Sequence, residues 1–306
     1  MNQVHPRQMP LLAKKFTFAA DKLFALLTWM SERERARIAR EAGAAPPVDL
    51  DPVIRDWRFC NVDRRDDRVT RFIHNFYVKQ HGDNQHLWFN LVIARLINWP
   101  ATLEQLGYCY SWDREHFLAV IQDRTTRREK VYTGAYMIPG GPAGLAKHEY
   151  LARSCFDALW AKSGSAPLLG ESLAEWSKFL TVPLLGNFLR NQVLTDLRDA
   201  PGFAAVKDWS TFVLGGPGTI RGLNRLLGYP LTHSWKQTEL GIAILELREA
   251  LLVLSPQWAA VLRDPNNLTN CLCEFDKWMR VRNGEGKPRA RYSPDPQPLL
   301  QRPSNG

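Results

Sequence analysis

The sequence predicts a mainly α fold. Across 306 residues, apolar positions recur at three- and four-residue spacing, cap and stop residues stand where helices of ordinary length should begin and end, and a single stretch alternates like a strand. A hydrophobic content of 45% supplies a real core, and the length suits one large or two small domains without internal repeats.

Taken in order, residues 1–15 are polar with two prolines and form a loose lead. Phe16, Leu23, Phe24, Leu27 and Met30, followed by SERERARIAREA, predict one or two helices to about Glu41. The stretch GAAPPVDLDP at 43–52 reads as a connector. Helices are expected over 64–80 and 86–98, the second stopped at Asn98-Trp99-Pro100 because proline disfavours helical geometry in the residue before it. Thr102, Glu104 and Gln105 open a short helix, and Asp113 caps another over 114–122. The alternating stretch is 127–142, with Val131, Tyr132, Tyr136 and Ile138, a strand or extended segment before a Gly-Gly-Pro breaker. Helical patterns then cover 144–161, 171–181, 186–197, 219–227, 236–253, 256–263 and 266–281. These divisions suggest an N-terminal helical extension at 1–52, a helical body at 53–282 and a flexible, basic, glycine- and proline-punctuated tail at 283–306.

The net charge is +9, with 28 arginines against 12 lysines, and the pI is about 9.4. Arginine preference favours oriented phosphate contacts, although a basic balance also fits a membrane surface or plain solubility. Five scattered cysteines match a reduced cytoplasmic protein. Cys271 and Cys273 form a C-x-C pair without a second pair at zinc spacing, so no metal site is expected. No apolar run approaches a membrane span and no secretory leader stands at the start, so the expectation is a soluble protein with no membrane partner.

The most charged segment is WRFCNVDRRDDRVTRFI at 57–73, with five arginines and three aspartates. Arginine forks match phosphate oxygens, and interleaved carboxylates can hold them in place, so the segment reads as a phosphate-facing surface. The alternative is a solvated helix face laced with ion pairs such as Asp67 with Arg71.

Leu214–Gly222, LGGPGTIRG, places Gly216 and Gly218 before a new helix, with Arg221 and Arg225 on the same side. The arrangement resembles the hairpin of helix-hairpin-helix DNA-binding proteins, where glycines let the backbone approach a phosphate; an ordinary helix–helix turn is the alternative. In CLCEFDKW, Glu274, Asp276 and Lys277 lie among apolar residues. Glu274 with Lys277 and Asp276 with Arg280 could be two helical ion pairs, or a carboxylate beside a lysine could accept a proton from an amine. Lys287 sits in a flexible basic loop suited to phosphate. Asp196, Gln192 and Arg198 form a second polar cluster and Asn90, Arg95 and Asn98 a third; such groups in apolar helices are more often satisfied core groups. Tyr136 could stack on a base or fill the core. No Walker loop is present, which argues against a P-loop kinase.

Arg58, Phe59, Asn61, Val62, Arg64, Asp67, Arg68, Val69, Thr70, Arg71 and Ile73 resemble the RFxNVxRxxDRVTRxI signature of alpha-glutamyl/putrescinyl thymine pyrophosphorylases. These proteins hypermodify DNA bases in phage and bacteria, and phage members are described as amino acid:DNA transferases. Asp63 stands where an aromatic residue is usual. Blocks at 87–104, 132–138, 186–198, 214–228 and 271–292 extend the resemblance, in order, over most of the chain.

The resemblance implies a helical, DNA glycosylase-like architecture. It implies DNA carrying activated 5-hydroxymethyluracil as one substrate, and an amino acid or polyamine that displaces pyrophosphate as the other. No protein-bound cofactor is implied, although magnesium can arrive on the pyrophosphate. Arg58, Asn61, Arg64, Arg68, Arg71, Asn90, Tyr136 and Gln192 become candidates for substrate and pyrophosphate. Asp67, Asp196, Glu274, Asp276 and Lys277 become candidates for catalysis, and Gly216, Gly218, Arg221, Arg225 and Lys287 for the DNA backbone. Glycosylases of this type carry a catalytic aspartate some 20 residues beyond the hairpin; here the region reads Thr238-Glu239, which argues that base excision has been replaced. A modified-pyrimidine glycosylase and a non-catalytic modified-DNA-binding module are the alternatives.

Overall fold

The computed structural model describes residues 15–134, 141–142, 144–288 and 290–292. Among these residues all regular structure is helical, apart from one isolated antiparallel bridge between Trp57 and Arg291. In chain order the α-helices are α1 (Ala20–Glu41), α2 (Pro52–Asp56), α3 (Arg68–Ile73), α4 (Lys79–His81), α5 (Leu87–Ile97), α6 (Pro100–Leu106) and α7 (Arg114–Thr126). They continue as α8 (Lys147–Leu151), α9 (Asp157–Trp160), α10 (Leu173–Phe179), α11 (Asn187–Arg198), α12 (Pro217–Leu227), α13 (Gln237–Leu254), α14 (Ala259–Leu262) and α15 (Pro265–Arg282). One π turn, His74–Val78, joins α3 to α4, and another, Ala152–Phe156, joins α8 to α9.

Several boundaries follow from single residues. Asp113 caps α7 by accepting from the His116 amide at 2.9 Å. Asn98 adopts a left-handed φ of 49°, closing α5, and Pro100 fills the first turn of α6, where its missing N–H costs nothing. Pro217 does the same for α12, so this helix begins two residues before the apolar pattern suggests.

Two apolar cores divide the chain, and they do not divide it in sequence order. Leu26, Trp29 and Met30 of α1 pack with Ile244 and Leu247 of α13 and with Leu272, Phe275 and Trp278 of α15. The N-terminal helix therefore shares its core with the C-terminal helices. The middle of the chain, from Phe72 to Leu214, builds the second core around α5, which is buried at every position from Leu87 to Ile97. A helix buried on all sides belongs at the centre of a lobe. The lobes meet where α11 crosses the start of α15, and the seam is polar. Asn191 donates to Thr269 at 3.2 Å, Asn266 donates to Thr195 at 2.5 Å, and Arg198 pairs with Asp264.

α12 and α15 approach closely. A Cβ on Gly222 would stand 2.1 Å from the Leu272 carbonyl oxygen, and one on Gly218 would stand 2.3 Å from the Cys273 sulfur. Gly218 and Gly222 are thus required by helix packing. The connection from α11 to α12 runs through 199–216, with only a 3-10 turn at Pro201–Phe203, so the two helices are not joined by the short hairpin expected.

The described part of 127–142 forms no strand. Among the described residues no neighbouring strand offers a ladder, and the backbone bonds instead to helix ends and side chains: the Thr133 amide donates to the Ile97 carbonyl at 3.0 Å, and Thr102 Oγ1 donates to the Val131 carbonyl at 2.8 Å. Beyond α15 the chain folds back rather than leaving the body. The Tyr292 amide donates to the Asp56 carbonyl at 2.8 Å, and the Arg40 guanidinium lies 3.5 Å from the centre of the Tyr292 ring.

A candidate charged site at the seam of the two lobes

The backbone of Phe59, Cys60 and Asn61 is held from three directions by charged side chains. Arg33 of α1 donates to the Phe59 carbonyl at 3.2 Å, to the Cys60 carbonyl at 3.0 Å and to Asn61 Oδ1. Glu274 of α15 accepts from the Cys60 amide at 3.0 Å, and Asp67 accepts from the Asn61 amide at 3.0 Å. Asp67 owes its position to the extended backbone between the 3-10 turn Arg64–Asp66 and the start of α3. A continuous helix from residue 64, as the sequence suggests, would have pointed it elsewhere.

Arg64 ties this clasp to the seam. Its guanidinium pairs with Asp67 and donates to Gln192 of α11 at 2.9 Å, while its amide donates to Asn267 of α15 at 2.9 Å. Lys277 pairs with Glu274 at 2.5 Å and lies 4.7 Å from the centre of the Phe59 ring. Three cations face two carboxylates, leaving a net positive charge. Nη1 of Arg33 is buried and has no hydrogen-bond partner among the described residues, so one guanidinium donor remains uncommitted.

Protonation follows from burial. Burial raises the Asp67 carboxyl above its ordinary value, partly opposed by Arg64, which moves it toward the range useful to a general base. Burial alone would lower Lys277, but the Glu274 carboxylate together with Cys60 and Cys273 outweighs this and the ammonium is held on. Lys277 is therefore a fixed cation and not a proton acceptor at neutral pH. Burial pushes the Cys60 thiol up to about 12, so it stays protonated.

Of the residues singled out from the sequence, Asn61, Arg64, Asp67, Gln192, Glu274 and Lys277 meet here. Others lie apart. Arg71 does not pair with Asp67; it is exposed and bonds Glu41 and Asp66, each at 2.9 Å. Arg64 and Arg71 thus commit their charges to different carboxylates and do not share one phosphate-facing surface. Arg58 and Arg68 are exposed. Asp196 is buried against Arg95, whose guanidinium also donates to Thr70 at 3.1 Å, inside the middle lobe. Asn90 donates to the His86 and Cys109 carbonyls, each at 3.0 Å, and accepts from the Cys109 amide at 2.7 Å, which pins the loop after α6.

Asp276 does not reach Arg280. It is buried between Arg221 and Arg225 of α12, each at 2.8 Å, and Arg225 also meets Glu285. Gly216 packs on Phe188, and Lys287 is exposed. Tyr136 lies outside the described residues. Sequence reasoning missed Arg33, hidden in a run of charged residues; its signal is its spacing from Trp29, Met30 and Ala36 on the buried face of α1.

The chain is 27% identical over 208 residues to a 5-hmdU DNA kinase of Bacillus phage SP10, an alignment covering 59% of this chain and 32% of that protein. It thus spans about a third of the length of the curated relative it matches. No solved structure matches. A family model described as "5-hmdU DNA kinase, helical domain" matches residues 21–288, covering both lobes and every residue of the seam cluster. The chain belongs to the family of the 5-hmdU DNA kinase helical domain.

Proposed function

We propose that this chain acts on DNA containing 5-hydroxymethyluracil, at the step after that base has been activated. In this reading a pyrophosphoryl group on the hydroxymethyl oxygen is displaced by a primary amine from an amino acid or polyamine. The amine nitrogen bonds to the methylene carbon, the carbon–oxygen bond to pyrophosphate breaks, and the ammonium proton passes to a carboxylate. Family membership supports a substrate of modified DNA, because the matching phage protein is a 5-hmdU DNA kinase. The resemblance of the 57–73 signature to pyrophosphorylases supports amine transfer in place of phosphorylation.

The observation that carries the reading is the net-positive seam cluster, in which the fixed, partly exposed ammonium of Lys277 suits a departing pyrophosphate. Asp67, raised by burial, is the acceptor for the proton. A position at the junction of two lobes suits a base turned out of its strand. Arg221, Arg225 and Lys287 would meet the DNA backbone.

The test supplies pyrophosphorylated DNA and a panel of amines and analyses digested nucleosides by mass spectrometry. Nucleoside–amine adducts are expected, with pyrophosphate released in equal amount. Pyrophosphate release without an adduct would reject transfer, and free base with an abasic site would indicate a glycosylase. One observation favours a binding module instead: the clasp charges are largely satisfied by one another. Tight binding of modified DNA without turnover of the activated form would select that alternative.

A further inference from the structure

An open cavity of about 500 Å³ lies on the middle lobe, between the π turn with α4 and the chain just beyond α11. Its volume falls in the roughly 300–1,000 Å³ range of small-molecule sites. π turns concentrate at functional sites, and here the turn supplies His74 and Val78 to the wall and Lys79 and His81 follow it directly. Gly82 permits the opposite wall to close, since a Cβ there would stand 2.7 Å from Pro201 Cδ.

The chemistry of the lining is mixed in a specific way. Asp199 lines the cavity and forms no side-chain hydrogen bond or ion pair among the described residues, whereas Asp196 and Asp264 beside it are paired. Burial, with Asp196 pushing the same way, lifts the Asp199 carboxyl to about 6; Arg65 opposes the rise, while Asp264 and Asp63 add to it. The same lining holds the rings of His81 and Tyr110, 5.9 Å apart at 88°, the His81 ring resting 3.8 Å from that of Tyr108. Burial lowers both His74 and His81, so neither carries a charge at neutral pH. Lys79 forms no ion pair among the described residues and is the cavity's remaining cation.

We propose that this cavity binds a small zwitterionic amine of the α-amino acid type, with its ammonium on the Asp199 carboxylate beside the His81 and Tyr110 rings and its carboxylate toward Lys79. An unpaired carboxylate in a lining that also holds aromatic rings suits a cation, and a lysine in the same lining favours a ligand that also carries an anion. If transfer to DNA is the function, this is where the nucleophile is held; that part rests on the preceding proposal, and binding itself does not.

The experiment is calorimetric titration of the whole chain with glycine, L-glutamate, putrescine and acetate. Saturable binding of glycine or L-glutamate is expected, with acetate silent. Asp199→Asn should weaken binding about tenfold or more, because it removes the charge while keeping the shape. Lys79→Met should weaken the amino acids and leave putrescine unchanged or tighter. Absence of saturable binding by every amine, or equal affinity in Asp199→Asn with its circular dichroism intact, would overturn the site. Asp199-dependent binding without adduct formation on activated DNA would reject the transferase and leave the site standing. Adduct formation at native rate by Asp199→Asn would do the reverse.

Discussion

At the scale of single residues, the charges of the 57–73 segment divide according to which side of the backbone they leave. Arg64 and Asp67 turn into the seam, whereas Arg71 turns out toward Glu41 and Asp66. Exposed pairs contribute little, so Arg71→Ala should change stability by no more than about 0.5 kcal/mol and leave DNA modification intact, as thermal melting and adduct yield would show. Asp199 gives a pH signature with a definite sign. Its folded value of about 6 lies above the ordinary 3.8, so the folded protein binds more protons there than the unfolded chain does in that window. Its contribution to stability therefore falls as pH rises from about 4 to about 6. The stability of Asp199→Asn relative to the native protein should accordingly increase over that interval in parallel denaturant titrations; a difference independent of pH would show that Asp199 is not perturbed in the native state. The sequence offered the charges of the clasp but not their pairing, because a three-residue 3-10 turn before α3 sets which carboxylate faces inward, and nothing in the composition of the segment distinguishes Asp66 from Asp67.

At the scale of elements, α7 was legible because Asp113 caps it, whereas Pro100 opens α6 and Pro217 opens α12 two residues ahead of the expected starts, since a proline was read as a stop and not as a first-turn residue. The stretch around Val131 was not legible, because alternation describes a backbone that is extended and says nothing about what pairs with it. The glycines before and within α12 carried a signal whose cause differs from the one their hairpin-like spacing suggests: Gly218 and Gly222 admit α15. Gly222→Ala should destabilise the protein by about 3 kcal/mol or more, since the added methyl meets backbone that cannot move aside. Gly218→Ala meets a cysteine side chain instead, and pairing it with Cys273→Ala should restore most of the loss, measurable as a double-mutant cycle. A mild effect of Gly222→Ala in chemical denaturation would mean that the helices lie farther apart.

At the scale of the whole molecule, the two ends of the chain build one lobe and its middle builds the other, so the seam is formed by segments far apart in sequence. That is why the cluster uniting Arg33, Arg64, Gln192 and Glu274 could not be assembled from local spacing, although most of its members were singled out one at a time. Within the middle lobe, Asp196 and Arg95 form a buried pair that supports the junction of α5 and α11. Asp196→Asn, which leaves a buried guanidinium without its counter-charge, should cost about 3–5 kcal/mol in denaturant unfolding. A normally stable variant that fails only in catalysis would return Asp196 to the active site.

The most direct test of a catalytic seam is incorporation of a nitrogen-15-labelled amine into pyrophosphorylated DNA by the native protein, by Asp67→Asn and by Arg71→Ala. Label should enter DNA with the native protein and with Arg71→Ala, and Asp67→Asn should fold normally while losing about a hundredfold or more of the rate. No label in DNA with the native protein, or full incorporation by Asp67→Asn, would contradict it.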